Sequence, residues 1–454
     1  MKINNTIAEQ WKGRELWRLL FPLIVEQILT VTIGMADTVM VATVGEYAVS
    51  GVSLVDSVNM LLVIAFSALA AGGSVVVSQY IGRRNERKAR AAARQLTYTT
   101  AAVSLMIMVF TLILCVPILR FVYGRIEPDV MDAAKTYFIL TALSYPFLAV
   151  YNAAASLYRS MGNSRISMLI SLLVNILNIA GNAILIFGFH LGVFGAGLAT
   201  LVSRAAAAFV LMAMLVPDKY SPISLAGIFN IRLDGGIIRS ILRVGIPSGV
   251  ESSMFQIGKV LVSRIFTTFG TAAIAANAIS SSINAFTSMP GTALGIGMVT
   301  IVGQCVGAKD FGSARHYTQK LMRLTYCMVL VLSAAVVILM NPLLTLFNLS
   351  SEAKDIARTL LWTSCMLSPI SWPISFTLPN ALRASGDARF VMIVAVSSMW
   401  AVRVSAAYLL AYPLGLGPSG VWIAMVADWC VRGAFYVWRW RCGRWENKNV
   451  LAEG

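Results

Sequence analysis

Charge is scarce in this sequence. Asp, Glu, Lys and Arg make up 12% of the 454 residues, where a soluble globular domain holds about a quarter. With 58% hydrophobic residues and a mean hydropathy of +0.75, a soluble domain is excluded and a polytopic membrane protein is expected. Histidine is nearly absent. The two present, His190 and His316, lie in or beside loops. No H-x-x-x-H, G-x-S-x-G or Walker run occurs, which removes the usual metal-assisted, serine-nucleophile and ATP-driven chemistries. The six cysteines (Cys115, Cys305, Cys327, Cys365, Cys430 and Cys442) lack metal or redox spacing and read as small apolar filler. Neither the repeated filter nor the charged ring of a channel is evident. The chain is expected not to be an enzyme and to need no cofactor.

What is present is long apolar runs. Twelve spans are read at approximately 16–41, 51–78, 95–120, 133–158, 166–189, 192–216, 238–268, 276–304, 320–345, 357–381, 390–412 and 417–440, each long enough to cross the hydrocarbon core. The net charge of +16 would suit a nucleic-acid partner if the basic residues formed one patch, but they sort by side instead. The N-terminus, the even-to-odd loops and the C-terminus hold most of them, including "GRRNERKARAAAR" (82–94), while the opposite loops hold only Arg120, Arg125, Lys135, Lys354 and Arg358. Positive charge marks the cytoplasmic side, so both termini are expected inside and no nucleic acid is expected as partner. The polar leader before the first span lacks a small-residue cleavage site and is expected to be retained.

The chain is written twice. Shifted by about 225 residues, "FPLIVEQ" (21–27) falls on "IPSGVES" (246–252), matching Pro22 to Pro247 and Glu26 to Glu251. "VVVSQYIG" (75–82) falls on "TIVGQCVG" (300–307), and "YRSMGNSR" (158–165) falls on "LRASGDAR" (382–389) after a one-residue slip. Ordered matches at one offset are the mark of duplication. Six spans per half give both halves one orientation, a parallel repeat. The expected fold is therefore all-α and polytopic, with twelve transmembrane helices in two six-helix lobes, residues 1–225 and 226–454. The boundary is placed in the Gly-, Pro- and charge-rich segment 217–236.

The polar residues inside the spans are few enough to weigh singly. Glu26 and Asp37 share one face of the first helix, about 16 Å apart, with Pro22 a turn before Glu26 as a kink point. Asn175, Asn178 and Asn182 recur on one face of the fifth span. They read either as helix–helix glue or as part of a site. Thr200 and Arg204 lie one turn apart in the sixth. The seventh carries Glu251, Gln256, Lys259 and Arg264, with Glu251 and Lys259 close enough to neutralise each other through a relay. Arg403, Asp428 and Arg432 in the last two spans read as a structural ion pair with a third member, and Asp56, near the outer end of its span, reads as solvated. Asp37 differs, because its own helix offers no basic partner within a turn. An ionised Asp at mid-bilayer costs roughly 2.5–3.5 kcal/mol. Such a carboxylate can hold a proton in one state and surrender it when a cation arrives, which is the elementary step of an antiporter.

These residues resemble a known family, the multidrug and toxic compound extrusion (MATE) transporters, along nearly the whole chain. The strongest stretches are "PLIVEQILTVTIGMADTVMVATVG", "SALAAGGSVVVSQYIG", "LYRSMGNSRISMLISLLVNILNIAGNAILIFG" and "LRASGDARFVMIVAVSSMWAVRVSAAYLL". The resemblance implies a bacterial member, a secondary antiporter of the inner membrane that exports organic cations for H⁺ or Na⁺ by alternating access between its lobes. The family's N-lobe ion site carries over onto Asp37, Asn178, Asn182 and Thr200, the positions that would also hold Na⁺. Asn182 stands where some relatives have Asp, which favours the proton. The tenth span lacks the acid that other relatives carry there. Pro22 becomes the point at which the first helix bends, and Glu26, Glu251, Gln256 and Lys259 are the candidates for substrate contact. Small cationic amphipathic substrates, the lipid bilayer and a monomeric state are the expected partners and assembly. The alternative is a flippase of lipids or lipid-linked saccharides from the same superfamily, for which Lys259, Arg264, Arg204 and Arg403 would line one central cavity.

Overall fold

The computed structural model describes residues 11, 13–124, 127–216, 223–347, 349–448 and 450–451. Arg125, most of the polar leader and residues 217–222 of the expected boundary segment lie outside them. The chain folds into twelve helical spans: α1 (Arg14–Ala42), α2 (Glu46–Gly82), α3 (Glu86–Ile113, followed by a short helix Cys115–Tyr123), α4 (Pro128–Leu143 and Tyr145–Ser160), α5 (Ser164–Asn182, continued by Ala183–Gly188) and α6 (Gly192–Leu215). The second half repeats the pattern with α7 (Gly235–Thr267), α8 (Gly270–Gly307), α9 (Phe311–Ile338, followed by Met340–Thr345), α10 (Ser351–Trp372, Pro373–Thr377 and Leu378–Ala384), α11 (Ala388–Ser398, Met399–Val404 and Ser405–Ala411) and α12 (Gly417–Arg441). Among the described residues nine helices are long and apolar enough to cross a membrane, and the two arms of α4, bent by 44°, make a tenth. Polar side chains interrupt α7 and α10, which is why these two fall short of that measure.

The duplication reaches the backbone. Arg84 (φ 56°) and Lys309 (φ 61°) both adopt the left-handed conformation that non-glycine residues seldom take. Each ends a long helix and precedes the cap of the next. Asn85 accepts from the backbone N–H of Lys88 at 3.0 Å, and Asp310 accepts from that of Ser313 at 2.9 Å, satisfying an orphan donor at each helix start. An ion pair is duplicated as well. Glu26 meets Arg159 at 2.8 Å and Glu251 meets Arg383 at 2.6 Å, the four residues that the sequence overlay pairs off.

Close packing divides the chain into two units. One runs to Gly249; the other comprises Val250–Val450 together with Trp11, whose indole N–H donates to Gln304 Oε1 at 3.3 Å. The division falls inside α7, whereas the repeat boundary read from the sequence lies in the segment before it. The physical reason is local to the first unit. Gln95 Nε2 on α3 donates to the carbonyl of Arg232 at 2.6 Å and Tyr98 donates to that of Ile228. The connecting segment is therefore bound to α3. The first turns of α7 follow, with Gly72 of α2 so near that a Cβ on it would stand 2.6 Å from the amide nitrogen of Gly245.

Candidate functional site

Four polar side chains of the first unit form one continuous chain of hydrogen bonds. Asn182 Nδ2 on α5 donates to Asp37 Oδ1 on α1 at 2.6 Å and lies 3.3 Å from Asn178 Oδ1, one turn earlier. Asn178 Nδ2 donates in turn to Thr200 Oγ1 on α6 at 3.3 Å, and the Thr200 hydroxyl is anchored to the carbonyl of Ala196 at 3.0 Å. The helical period sets this arrangement, since residues four apart stack on one face. Asn178, Asn182 and Thr200 are buried, Asp37 half-buried. Asp37 has no ion-pair partner among the described residues. Arg204, the basic group one turn from Thr200, is turned to Ser144, donating to its hydroxyl at 2.8 Å.

The site therefore presents one carboxylate among neutral polar groups. Among the described residues no three His, Cys, Asp or Glu side chains converge. Asn182 Oδ1 is buried without a hydrogen-bond partner, which leaves an oxygen beside the carboxylate for a bound cation to use. The end of α5 adds a feature that the sequence pattern does not reveal: Asn182 stands at the start of a π-helical stretch, Ala183–Gly188. Such turns recur at functional sites.

The remaining candidates fall elsewhere. Glu26 is buried and fully engaged: one carboxylate oxygen faces Arg159 and the other accepts from Ser167 at 2.7 Å. It ties α1 to α4 and α5 rather than facing open space. Glu251 does not neutralise Lys259; its partner is Arg383, which also donates to Asn380 at 2.8 Å. Lys259 projects instead into a cavity of about 250 Å³ within the second unit, together with Arg403. Gln256 is half-buried on the same helix and is not among the residues lining that cavity. α1 runs unbroken through Pro22, as α7 does through Pro247. Asp56 is exposed. Asp428 lies 3.8 Å from Arg432 and accepts from Ser398 at 2.5 Å.

An all-helical membrane protein of twelve spans, built from two copies of one six-helix unit and carrying a polar cluster in mid-helix, has the architecture of a membrane transporter. A family model described as MatE matches residues 22–184 and again residues 247–409, at the shift that relates the two halves of the sequence. The chain belongs to the MatE family. It is 28% identical to the "uncharacterized transporter YisQ" of Bacillus subtilis, over 97% of this chain and 96% of that protein. It is 26% identical to the "probable multidrug resistance protein NorM" of Thermotoga maritima, over 96% and 94%. A solved structure described as the outward-facing conformation of a multidrug resistance MATE family transporter superposes with a TM-score of 0.90 at 19% identity, covering 98% of this chain and 100% of that one.

Proposed function

We propose that this transporter exports small organic cations in exchange for an inward-moving ion, with alternating access between its two lobes. Asp37 is the coupling group. The observation that carries the reading is the hydrogen-bonded chain Asp37–Asn182–Asn178–Thr200, in which the carboxylate is held by the neutral Asn182 amide and has no ion-pair partner among the described residues. In one state the carboxylate takes a proton; in the other it releases it as cationic cargo approaches. The proton is favoured over Na⁺ because the site has a single acid, and of the two asparagines only Asn182 leaves its amide oxygen unbonded, where Na⁺ would need several oxygens. Na⁺ remains the competing ion, with Asp37, the Asn178 and Asn182 carbonyls and the Thr200 hydroxyl as its ligands. The membrane is the bacterial cytoplasmic one, with both termini inside.

Efflux of ethidium from cells lacking their own pumps tests the reading. An H⁺-coupled exporter loses efflux when an uncoupler is added, in Na⁺-containing and Na⁺-free buffer alike. Efflux that needs Na⁺ and survives the uncoupler assigns the site to Na⁺. If no organic cation moves under either condition, cation export is wrong. The flippase alternative would then lead, with Lys259 and Arg403 sharing a cavity that neither Arg264 nor Arg204 lines.

A further inference from the structure

The second unit contains a cavity for which the coupling reading has no use. Its walls come from α7, α8, α10, α11 and α12, and its apolar lining is largely aromatic: Phe255, Trp372, Phe376, Trp422 and Trp429. Only two charged residues line it, Lys259 and Arg403, and both are positive. Arg403 is 5% exposed, and its Nε and Nη1 atoms are buried without a hydrogen-bond partner. Lys259 has no ion-pair partner among the described residues. A third cation, Arg432, stands behind the wall, its guanidinium 4.6 Å from the ring centre of Phe376 and 5.5 Å from that of Phe255; Arg403 lies 5.3 Å from the latter. The one acid in the group is Asp428, fully buried and 3.8 Å from Arg432.

Three cations against one carboxylate leave an excess of positive charge in a half-closed aromatic space. Arginine remains protonated in any such setting. Unpaired buried charge is costly, and facing ring faces repay part of that cost. An anion repays more, because a guanidinium with free N–H groups forms charge-assisted hydrogen bonds to a carboxylate, sulfonate or phosphate. We propose that this cavity binds the anionic group of a small organic acid with an aromatic body, Arg403 supplying the directional donors and Lys259 a mobile point charge at the mouth. The volume suits a single-ring acid, below the usual range of drug-sized pockets. The site is separate from the Asp37 cluster and does not depend on the ion that cluster carries.

The lining tryptophans provide the readout. The full-length protein, in phosphatidylcholine nanodiscs, is titrated with p-nitrobenzoate and with its neutral counterpart p-nitrobenzamide, following quenching of tryptophan fluorescence. The expected result is saturable quenching by the acid, with the amide weaker by about tenfold or more, the scale of a charge-assisted hydrogen bond. Lys259→Gln, at an exposed side chain, weakens the acid alone. Asp428→Asn, which removes the one opposing charge, tightens it, an effect that misfolding cannot produce. Repeating the titration in phosphatidylglycerol nanodiscs separates two sources of the anion. Unchanged affinity supports a free organic acid; competitive weakening supports a lipid headgroup bound through the same cations. Equal affinity for acid and amide overturns the proposal, as does wild-type binding of the acid by both Lys259→Gln and monodisperse Arg403→Gln.

Discussion

At the scale of single residues, the ionisable groups in the spans divide into those that hold helices together and those left with chemistry to do. Glu26 and Glu251 are of the first kind: each meets an arginine from elsewhere in its own unit. Removing one partner of a largely buried pair costs about 3–5 kcal/mol, because the other charge stays behind uncompensated. Glu26→Gln is therefore expected to lower the apparent Tm of the detergent-solubilised protein, and the double variant Glu26→Gln/Arg159→Met should recover much of the loss. A double variant no better than the single one would show that the pair is not the source of the stability. On the proposed coupling role Asp37 is of the second kind, and its lack of a basic neighbour is legible in the residues alone. A carboxylate without a basic neighbour on its own helix stands out in a chain with so few charges, and the Asn178–Asn182 spacing places two amides on one face. The partners of Glu26 and Glu251 are not legible in the same way. Helical spacing reports neighbours on one helix only, so it offers Lys259 to Glu251, whereas the actual partner, Arg383, comes from another span.

At the scale of elements, duplication is visible in the turns as much as in the helices. Arg84 and Lys309, each followed by a side-chain cap, punctuate the two halves identically. The π-helical stretch Met399–Val404, which carries Arg403, leaves no mark in the sequence, because "MWAVRV" holds neither the Gly nor the Pro that usually betrays an irregular turn. Close helix approach also makes a prediction. A methyl group on Gly72 would stand 2.6 Å from Gly245 N and 2.7 Å from the carbonyl oxygen of Ile241, both backbone atoms that cannot rotate away. Gly72→Ala is expected to destabilise by about 1–3 kcal/mol, the cost of overpacking, and to lower the Tm. Gly188→Ala, with nothing within 4 Å of its added Cβ, should leave it unchanged. Equal behaviour of the two variants would mean that the α2–α7 contact is looser than the geometry states.

At the scale of the whole molecule, hydropathy and the repeat make the twelve spans readable, and the matched family segments fall at the same shift. Where the packing divides is not readable. The contacts that bind the connecting segment to α3 go to the backbone carbonyls of Ile228 and Arg232, and a carbonyl leaves no trace in residue identity. The orientation inferred from basic loops is testable at Cys442, an exposed cysteine just beyond α12. A membrane-impermeant maleimide should leave it unlabelled in intact spheroplasts and label it in inverted vesicles, with Cys442→Ser as the control. Labelling from outside would reverse the topology.

The central claim is that Asp37 couples ion movement to cargo movement. It is tested most directly in proteoliposomes, by comparing wild-type protein with Asp37→Asn under an imposed H⁺ or Na⁺ gradient and, without a gradient, in exchange of labelled for unlabelled ethidium. The account predicts that Asp37→Asn loses gradient-driven accumulation and keeps exchange, because the lobes can still alternate once the ion has no carboxylate to bind. Gradient-driven transport by Asp37→Asn at the wild-type rate would contradict it and leave Asp37 as a structural partner of Asn182.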